Sequence, residues 1–251
     1  MAPIKVRLIL SKSRSIKYIQ WGLVMAAVIL LGGVYLIDLV KENFYDDSVL
    51  REGVVVYEVS YPEISEDHLL KPFLPTRMEL SVRKNKMRFE TKAGIGLFQT
   101  GYILDNRSRE LDAFLKLINV KYASKYNEEA VIYSLLQEPA ITVDMTGETA
   151  SMMGLNCKVS TLSFKGLKDQ RLCYTEDLSI PGLNWHTAYA DIPGLLLEYD
   201  LFKGGVHMHL KVLEIRRESV PSKAFELGDD YQFIQNKDYD RELAKTFTAL
   251  K

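Results

Sequence analysis

No acidic residue precedes Asp38. Before it come Lys5, Arg7, Lys12, Arg14 and Lys17, and from Trp21 to Ile37 there is no charge of either sign. With Ile19 before that run and Leu39–Val40 after it, the apolar span reaches the ~20 residues that cross a hydrocarbon core. The basic amino end predicts a cytoplasmic start and export of everything after Val40. A cleaved signal peptide is the competing reading, because a basic start and an apolar run are also its pattern. The run exceeds the ~7–15 residues of a typical h-region. It ends in Leu36-Ile37-Asp38-Leu39, without small residues to mark a cleavage site, and no cysteine follows it to carry a lipid. These absences favour an uncleaved anchor. Gly32-Gly33 would let a second helix approach, but a glycine pair alone is commonly just tolerated.

Other absences narrow the function. The sequence contains no GxSxG elbow, P-loop or HExxH, so no catalytic set is recognisable. No repeat, low-complexity tract or Pro/Ser-rich linker divides the ~210 residues beyond the anchor, so one domain is the default. Excess positive charge is missing too. Of 32 basic and 33 acidic residues, 27 and 32 lie beyond the anchor region, a net charge near −5. That argues against nucleic acid or an anionic membrane surface as an electrostatic partner. Cysteine is scarce: Cys157 and Cys173 either pair in an oxidising compartment or stay as two buried thiols.

What is present reads mainly as strand. Residues 41–52 are polar and suggest a stalk. Val54 to Tyr61 is β-branched and aromatic and ends at Pro62. Arg77 to Arg83 alternates, with Met78, Leu80 and Val82 on one face, and Met87 and Phe89 continue that face after the Lys84-Asn85-Lys86 turn. A strand is expected over Leu97–Leu104 and another through Leu111–Ile118. Asn127 caps a helix running to about Gln137. Further strands are expected at Ile141–Met145, Cys157–Phe164, Arg171–Thr175, Leu195–Phe202 and Val206–Ile215, and a short amphipathic helix from Asp238. Ala93-Gly94-Ile95-Gly96 is read as a bulge or loop. The division is 1–18 cytoplasmic, 19–40 anchor, 41–52 stalk, 53–233 an antiparallel β domain, and 234–251 a tail with helical character. The fold class is mainly β (α+β): one transmembrane helix and a curved antiparallel, half-barrel-like exported domain with one or two short helices.

His207 and His209 share a strand face, which makes a metal site only if a third ligand converges. Two half-buried histidines are the commoner outcome, so no metal and no cofactor is expected. Asp229-Asp230 and Asp46-Asp47 fall in loops and are read as solvated. Asn106-Arg107-Ser108 fits a glycosylation acceptor in a eukaryotic host. Cys157 and Cys173 are equidistant from Lys165, which predicts direct apposition across a hairpin and a bridge; a one-residue slip would forbid it.

Tyr174-Thr175-Glu176-Asp177-Leu178, followed by Asp191-Ile192-Pro193-Gly194-Leu195-Leu196-Leu197-Glu198, resembles the GLPGLI family of bacterial envelope proteins. Pro193, Gly194 and Leu195 match that motif in identity, Asp191, Ile192 and Leu196 depart from it, and Cys173 replaces a usual Trp. Tyr174, Thr175 and Asp177 match the preceding strand, and Gly154-Leu155-Asn156-Cys157-Lys158 is similar to a "G-x-x-C-K" element of the group. Pro221 to Tyr231 resembles the end of the same domain. The resemblance covers about half of the exported region. It implies an envelope location and a non-enzymatic half-barrel similar to lipoprotein carriers, with no settled function. Pro193-Gly194 itself reads as a turn entering an apolar strand, so a structural role for the motif is favoured.

Three functions compete. The first is a periplasmic-side binding protein, anchored in a bacterial inner membrane, whose groove holds a lipid, an acyl chain or an apolar peptide, with a lipoprotein or other envelope proteins as further partners. Met78, Leu80, Val82, Met87 and Phe89 are its expected lining. The second is an accessory subunit of an envelope complex, and the third a hydrolase or metal enzyme.

Overall fold

The computed structural model describes residues 46–248 except 70, 139, 165–168 and 204–205. The architecture is mainly β, one large curved open sheet with two helices. In chain order the elements are β1 (Glu52–Ser60), β2 (Arg77–Arg83), β3 (Lys86–Ala93), β4 (Phe98–Asp105), β5 (Glu110–Leu117) and β6 (Val120–Tyr126). Then come α1 (Glu128–Leu135), β7 (Ile141–Met152), β8 (Leu155–Phe164), β9 (Gln170–Thr175), β10 (Leu195–Lys203), β11 (Val206–Arg216), β12 (Gln232–Phe233) and α2 (Asn236–Thr248).

The sheet order is β12-β6-β5-β4-β3-β2-β1-β11-β10-β9-β8-β7. It consists of two antiparallel meanders, β1 to β6 and β7 to β11, joined where β1 pairs with β11. The connection from β6 to β7 must therefore pass from one side of the sheet to the other, and α1 lies in it. Among the described strands, only the two-residue β12 is parallel to its neighbour, β6, and a single parallel bridge joins Val49 to Ser179.

Local chemistry explains most of these elements. In β2 the pattern RMELSVR buries Met78, Leu80 and Val82 on one face and turns the polar residues out. In α1 the Asn127 side chain accepts from Ala130 N at 3.0 Å, and Glu128 and Glu129 occupy the first turn, where the helix dipole favours them. β1 is buried on both faces because each has a cover. Val55, Tyr57 and Val59 join the main core, while Val54 and Val56 pack with Ile103, Phe114, Val220 and Phe225 on the far side.

Three expectations change. Residues 48–50 are part of the domain rather than stalk: Leu50 is fully buried, and its N–H donates to Ser179 O at 2.9 Å. β7 runs on to Met152, because Gly147, with φ +74, sits where the register shifts between Met145 and Glu148 instead of ending the strand. The helix expected from Asp238 is present as α2, but it belongs to the domain rather than to a tail, with Tyr239 and Leu243 buried in the main core. Among the described residues, no helix is long and apolar enough to cross a membrane. The expected span at 19–40 lies outside them.

Candidate binding cavity

The inner face of the sheet, the two helices and the segment between β9 and β10 enclose a cavity of about 220 Å³. That is somewhat below the usual range for small-molecule pockets, about 300–1,000 Å³. The sheet contributes Tyr57, Met78, Phe89, Tyr102 and Tyr199, while α1 contributes Val131, Ser134 and Leu135. Tyr239 and Leu243 of α2 and Leu183, His186 and Tyr189 of the β9–β10 segment complete the wall.

The wall is rich in tyrosine, and most of the phenols are engaged. Tyr57 Oη donates to Leu196 O at 3.0 Å, and Tyr126 Oη to Asp240 Oδ1 at 2.8 Å. Burial, with a smaller contribution from Glu138, pushes Tyr102 up to about 12, and burial raises Tyr57, Tyr199 and Tyr239 as well. These hydroxyls therefore stay neutral near pH 7. Their rings pack edge to face: Tyr57 and Tyr199 have centroids 5.8 Å apart at 89°, and Tyr189 meets Tyr199 at 5.6 Å and 79°. A neutral aromatic wall suits an apolar ligand or a ring better than a charged one.

One side of the cavity carries a buried charge. Asp200 on β10 is fully buried and faces two histidines of β11. His207 Nε2 lies 2.8 Å from Asp200 Oδ1, and His209 Nδ1 lies 3.3 Å from each carboxylate oxygen. Burial alone would raise the Asp200 carboxyl, but the bonds from His207 and His209 outweigh it, and its pKa is lowered. The same bond to Asp200 raises His209, burial pulls it back, and Glu198 at 3.4 Å adds to the rise. His207 and His209 thus share a face, as their spacing predicts, and the group that both rings meet is the Asp200 carboxylate of the neighbouring strand. Among the described residues, no group of three or more His, Cys, Asp or Glu has the geometry to hold a metal ion. His207 instead stacks on Phe202, 4.6 Å away at 17°.

The segment from Glu176 to Gly194 carries its middle, Leu183 to Tyr189, to the cavity, and the motif residues sit at its two ends. Asp177 Oδ2 accepts from the backbone N and the side-chain amide of Asn156, at 2.8 and 2.9 Å. Thr175 Oγ1 accepts from Asp177 N at 3.1 Å. At the other end, the Asn184 amide donates to Ile192 O and Gly194 O, at 2.8 and 3.1 Å. Midway, Trp185 Nε1 donates to Asn106 Oδ1 at 2.8 Å, and Asn106 Nδ2 donates to Pro181 O at 2.7 Å. Asn106 belongs to the β4–β5 turn, so the segment crosses the inner face and is fastened on its far side. A glycan on that amide nitrogen would displace the bond to Pro181. Thr175, Asp177, Gly194 and Leu195 tie down the two ends of the segment; neither these nor Tyr174 and Pro193 are among the lining residues.

The expected lining divides. Met78 and Phe89 face the cavity. Leu80, Val82 and Met87 share their face of the sheet but are fully buried and pack into the main core instead, so they do not line it. Cys157 and Cys173 form a disulfide with Cα atoms 5.7 Å apart. The pairing differs from direct apposition: Val159 faces Cys173, so the cysteines are offset by two positions. A two-residue offset keeps both on one face, whereas an odd one would not.

Tyr199, Tyr189, His186, Asp200 and α2 were missed as site residues. The period-two pattern of β10 carried a signal for Tyr199, but nothing in an irregular segment indicates which residues turn inward. No family model matches the chain, and no curated protein matches it. The likeness to GLPGLI proteins therefore rests on the residues quoted for it.

Proposed function

We propose that the domain is a binding module of half-barrel type that holds an apolar ligand, such as an acyl chain, a lipid or an apolar peptide, in the cavity of its inner face. On this reading residues 19–40 anchor it in a bacterial inner membrane with the domain on the periplasmic side, and no chemistry is performed on the ligand. The supporting observation is the cavity, walled mainly by neutral tyrosines, leucines and Phe89, with the Asp200 carboxylate on one side, and covered by α1, α2 and the β9–β10 segment. Excluding water from apolar surface on both sides favours occupancy by about 25 cal/mol per Å².

Native mass spectrometry of the full chain, gently extracted from membranes, tests this directly. A bound apolar species is expected in the wild type, and Ser134→Trp, which fills the cavity from α1, should lose it with melting unchanged. A wild type that carries nothing would overturn the reading. Leu80 is unsuitable for this test, since it is fully buried in the core and its loss would unfold the domain.

A second reading, an accessory subunit of an envelope complex, draws on Ile132, Tyr133 and Leu136, exposed on and just after α1. The same spectra would show a co-purifying subunit in place of a small ligand.

A further inference from the structure

Two adjoining turns at one end of the sheet expose apolar side chains. Ile118–Asn119 joins β5 to β6, and the turn between β3 and β4 ends at Leu97, whose carbonyl accepts from Ile118 N at 2.6 Å. Leu97, Leu117, Ile118 and Val120 are 56, 42, 57 and 45% exposed. Cross-strand register sets Ala93, Phe98, Leu117 and Val120 in one row across four strands. One residue further from the tip, Lys92, Gln99, Lys116 and Lys121 form the next row. Successive rows point to opposite faces, so an apolar edge is backed by a basic one.

Three features of this tip are unfavourable in water. Its apolar side chains stay hydrated. Lys116 and Lys121 are directly opposite, an apposition of like charges that weakens a strand pair. Ile118 holds φ +55, a conformation that glycine or asparagine adopts readily and a β-branched residue rarely does. The acids nearby offset only part of the basic charge. Asp230 pairs with Lys121, Asp229 precedes it, and Glu90 lies between Lys92 at 3.2 Å and Arg88 at 3.3 Å.

We propose that this tip is a membrane-docking element that inserts Leu97, Leu117, Ile118 and Val120 into the headgroup region of an anionic bilayer. The row of lysines, of which Lys92 and Lys121 already have an acid partner, then meets lipid phosphates while the apolar side chains leave water. The chain beyond Val40 as a whole is acidic, so it is the local row of lysines at this tip that selects a lipid surface over a protein partner, because apolar side chains alone would fit either. The proposal stands whether or not the cavity holds a ligand. Phe98 belongs to the apolar row and also lines the cavity.

The test uses the full chain in vesicles of phosphatidylcholine with or without phosphatidylglycerol. Its own cysteines are bridged, so Ile118→Cys introduces one reactive thiol for an environment-sensitive fluorophore. Asn85→Cys, in the β2–β3 turn at the other end of the sheet, is the control for what the label does by itself. Expected is a blue-shifted emission at 118, quenched by nitroxide-bearing lipids when phosphatidylglycerol is present, with a water-like spectrum at 85. Replacing Lys116 and Lys121 by Gln should lower the inserted-to-free ratio about tenfold or more. Water-like emission at 118 in both vesicle types overturns the proposal and leaves a protein partner for the patch. So does insertion that ignores both phosphatidylglycerol and the lysines. If Ile118→Cys fails to fold, Val120→Cys reads the same insertion.

Discussion

Gly194 packs against the carbonyl oxygen of Thr175 so closely that an added Cβ would lie 1.9 Å from it, and its φ is +78. The contact seals the base of the β9–β10 segment, where Leu195 and Thr175 resume the sheet pairing. Only glycine satisfies both the close approach and the backbone angle. Gly194→Ala is therefore expected to cost at least about 2 kcal/mol in urea unfolding. Gly147→Ala is the control, since Gly147 has φ +74 but nothing within 4 Å of its would-be Cβ. It should lose only about 1 kcal/mol. Equal losses at the two sites would mean that the approach to Thr175 does not matter.

The disulfide closes a loop with a sequence separation of 16. A cross-link of that span limits the unfolded chain by about 3 kcal/mol. For a domain of this size that corresponds to roughly 6–12 °C of melting temperature. Full reduction, or the paired replacement Cys157→Ala and Cys173→Ala, should produce such a drop. An unchanged melt after complete reduction would show that the strands on either side hold the register unaided.

His209 and Asp200 give stability with a defined pH window. The folded pKa of His209 is raised, so its contribution is complete below the unfolded value near 6.5 and fades as pH rises through the folded value. The folded pKa of Asp200 is lowered, so its contribution is complete above about 4 and fades as pH falls through the folded value. The pair is thus strongest between about pH 4 and 6.5. The surrounding charges are His207, Glu198, the Arg171 and Lys211 that face Glu198, and Glu63 beside His207. His209→Gln should lower the melting temperature most near pH 5–6 and progressively less in alkaline solution. A deficit of the same size from pH 5 to pH 9 would show that charge on His209 contributes nothing.

Much of the sheet was legible because one physical signal dominates it. Met78, Leu80 and Val82 alternate with polar residues, and Asn127 announces a helix by its capping side chain. The hairpin turn at Lys84–Asn85 likewise follows from turn chemistry. Long-range pairing was hidden: nothing in Val54–Ser60 names β11 as its second neighbour, and nothing in β6 says that the chain crosses to the opposite edge before β7. The site suffered most. Leu80 and Phe89 look alike in the pattern, but which of two inward-facing residues meets a void depends on the irregular segments laid over them. Those segments carry no period to read.

The crossing segment is also where the cavity should be loosest. Its midpoint hangs on Asn106, which accepts from Trp185 Nε1 and donates to Pro181 O. The Arg109 guanidinium lies over the Trp185 ring, 5.0 Å from the ring centroid. Removing the amide leaves the Trp185 indole without its acceptor and Pro181 O without its donor, a local loss of about 1–3 kcal/mol. Because the strands beneath are tied by their own ladders, that loss should appear as local opening rather than unfolding. Asn106→Ala is expected to speed amide exchange from Leu183 to Tyr189 roughly five- to a hundredfold, in line with that energy. Exchange in β1, β10 and β11 should stay near wild type. Faster exchange throughout the sheet would mean that this fastening supports the whole fold, and no change at all would mean that the segment is held from the Asn184 side alone.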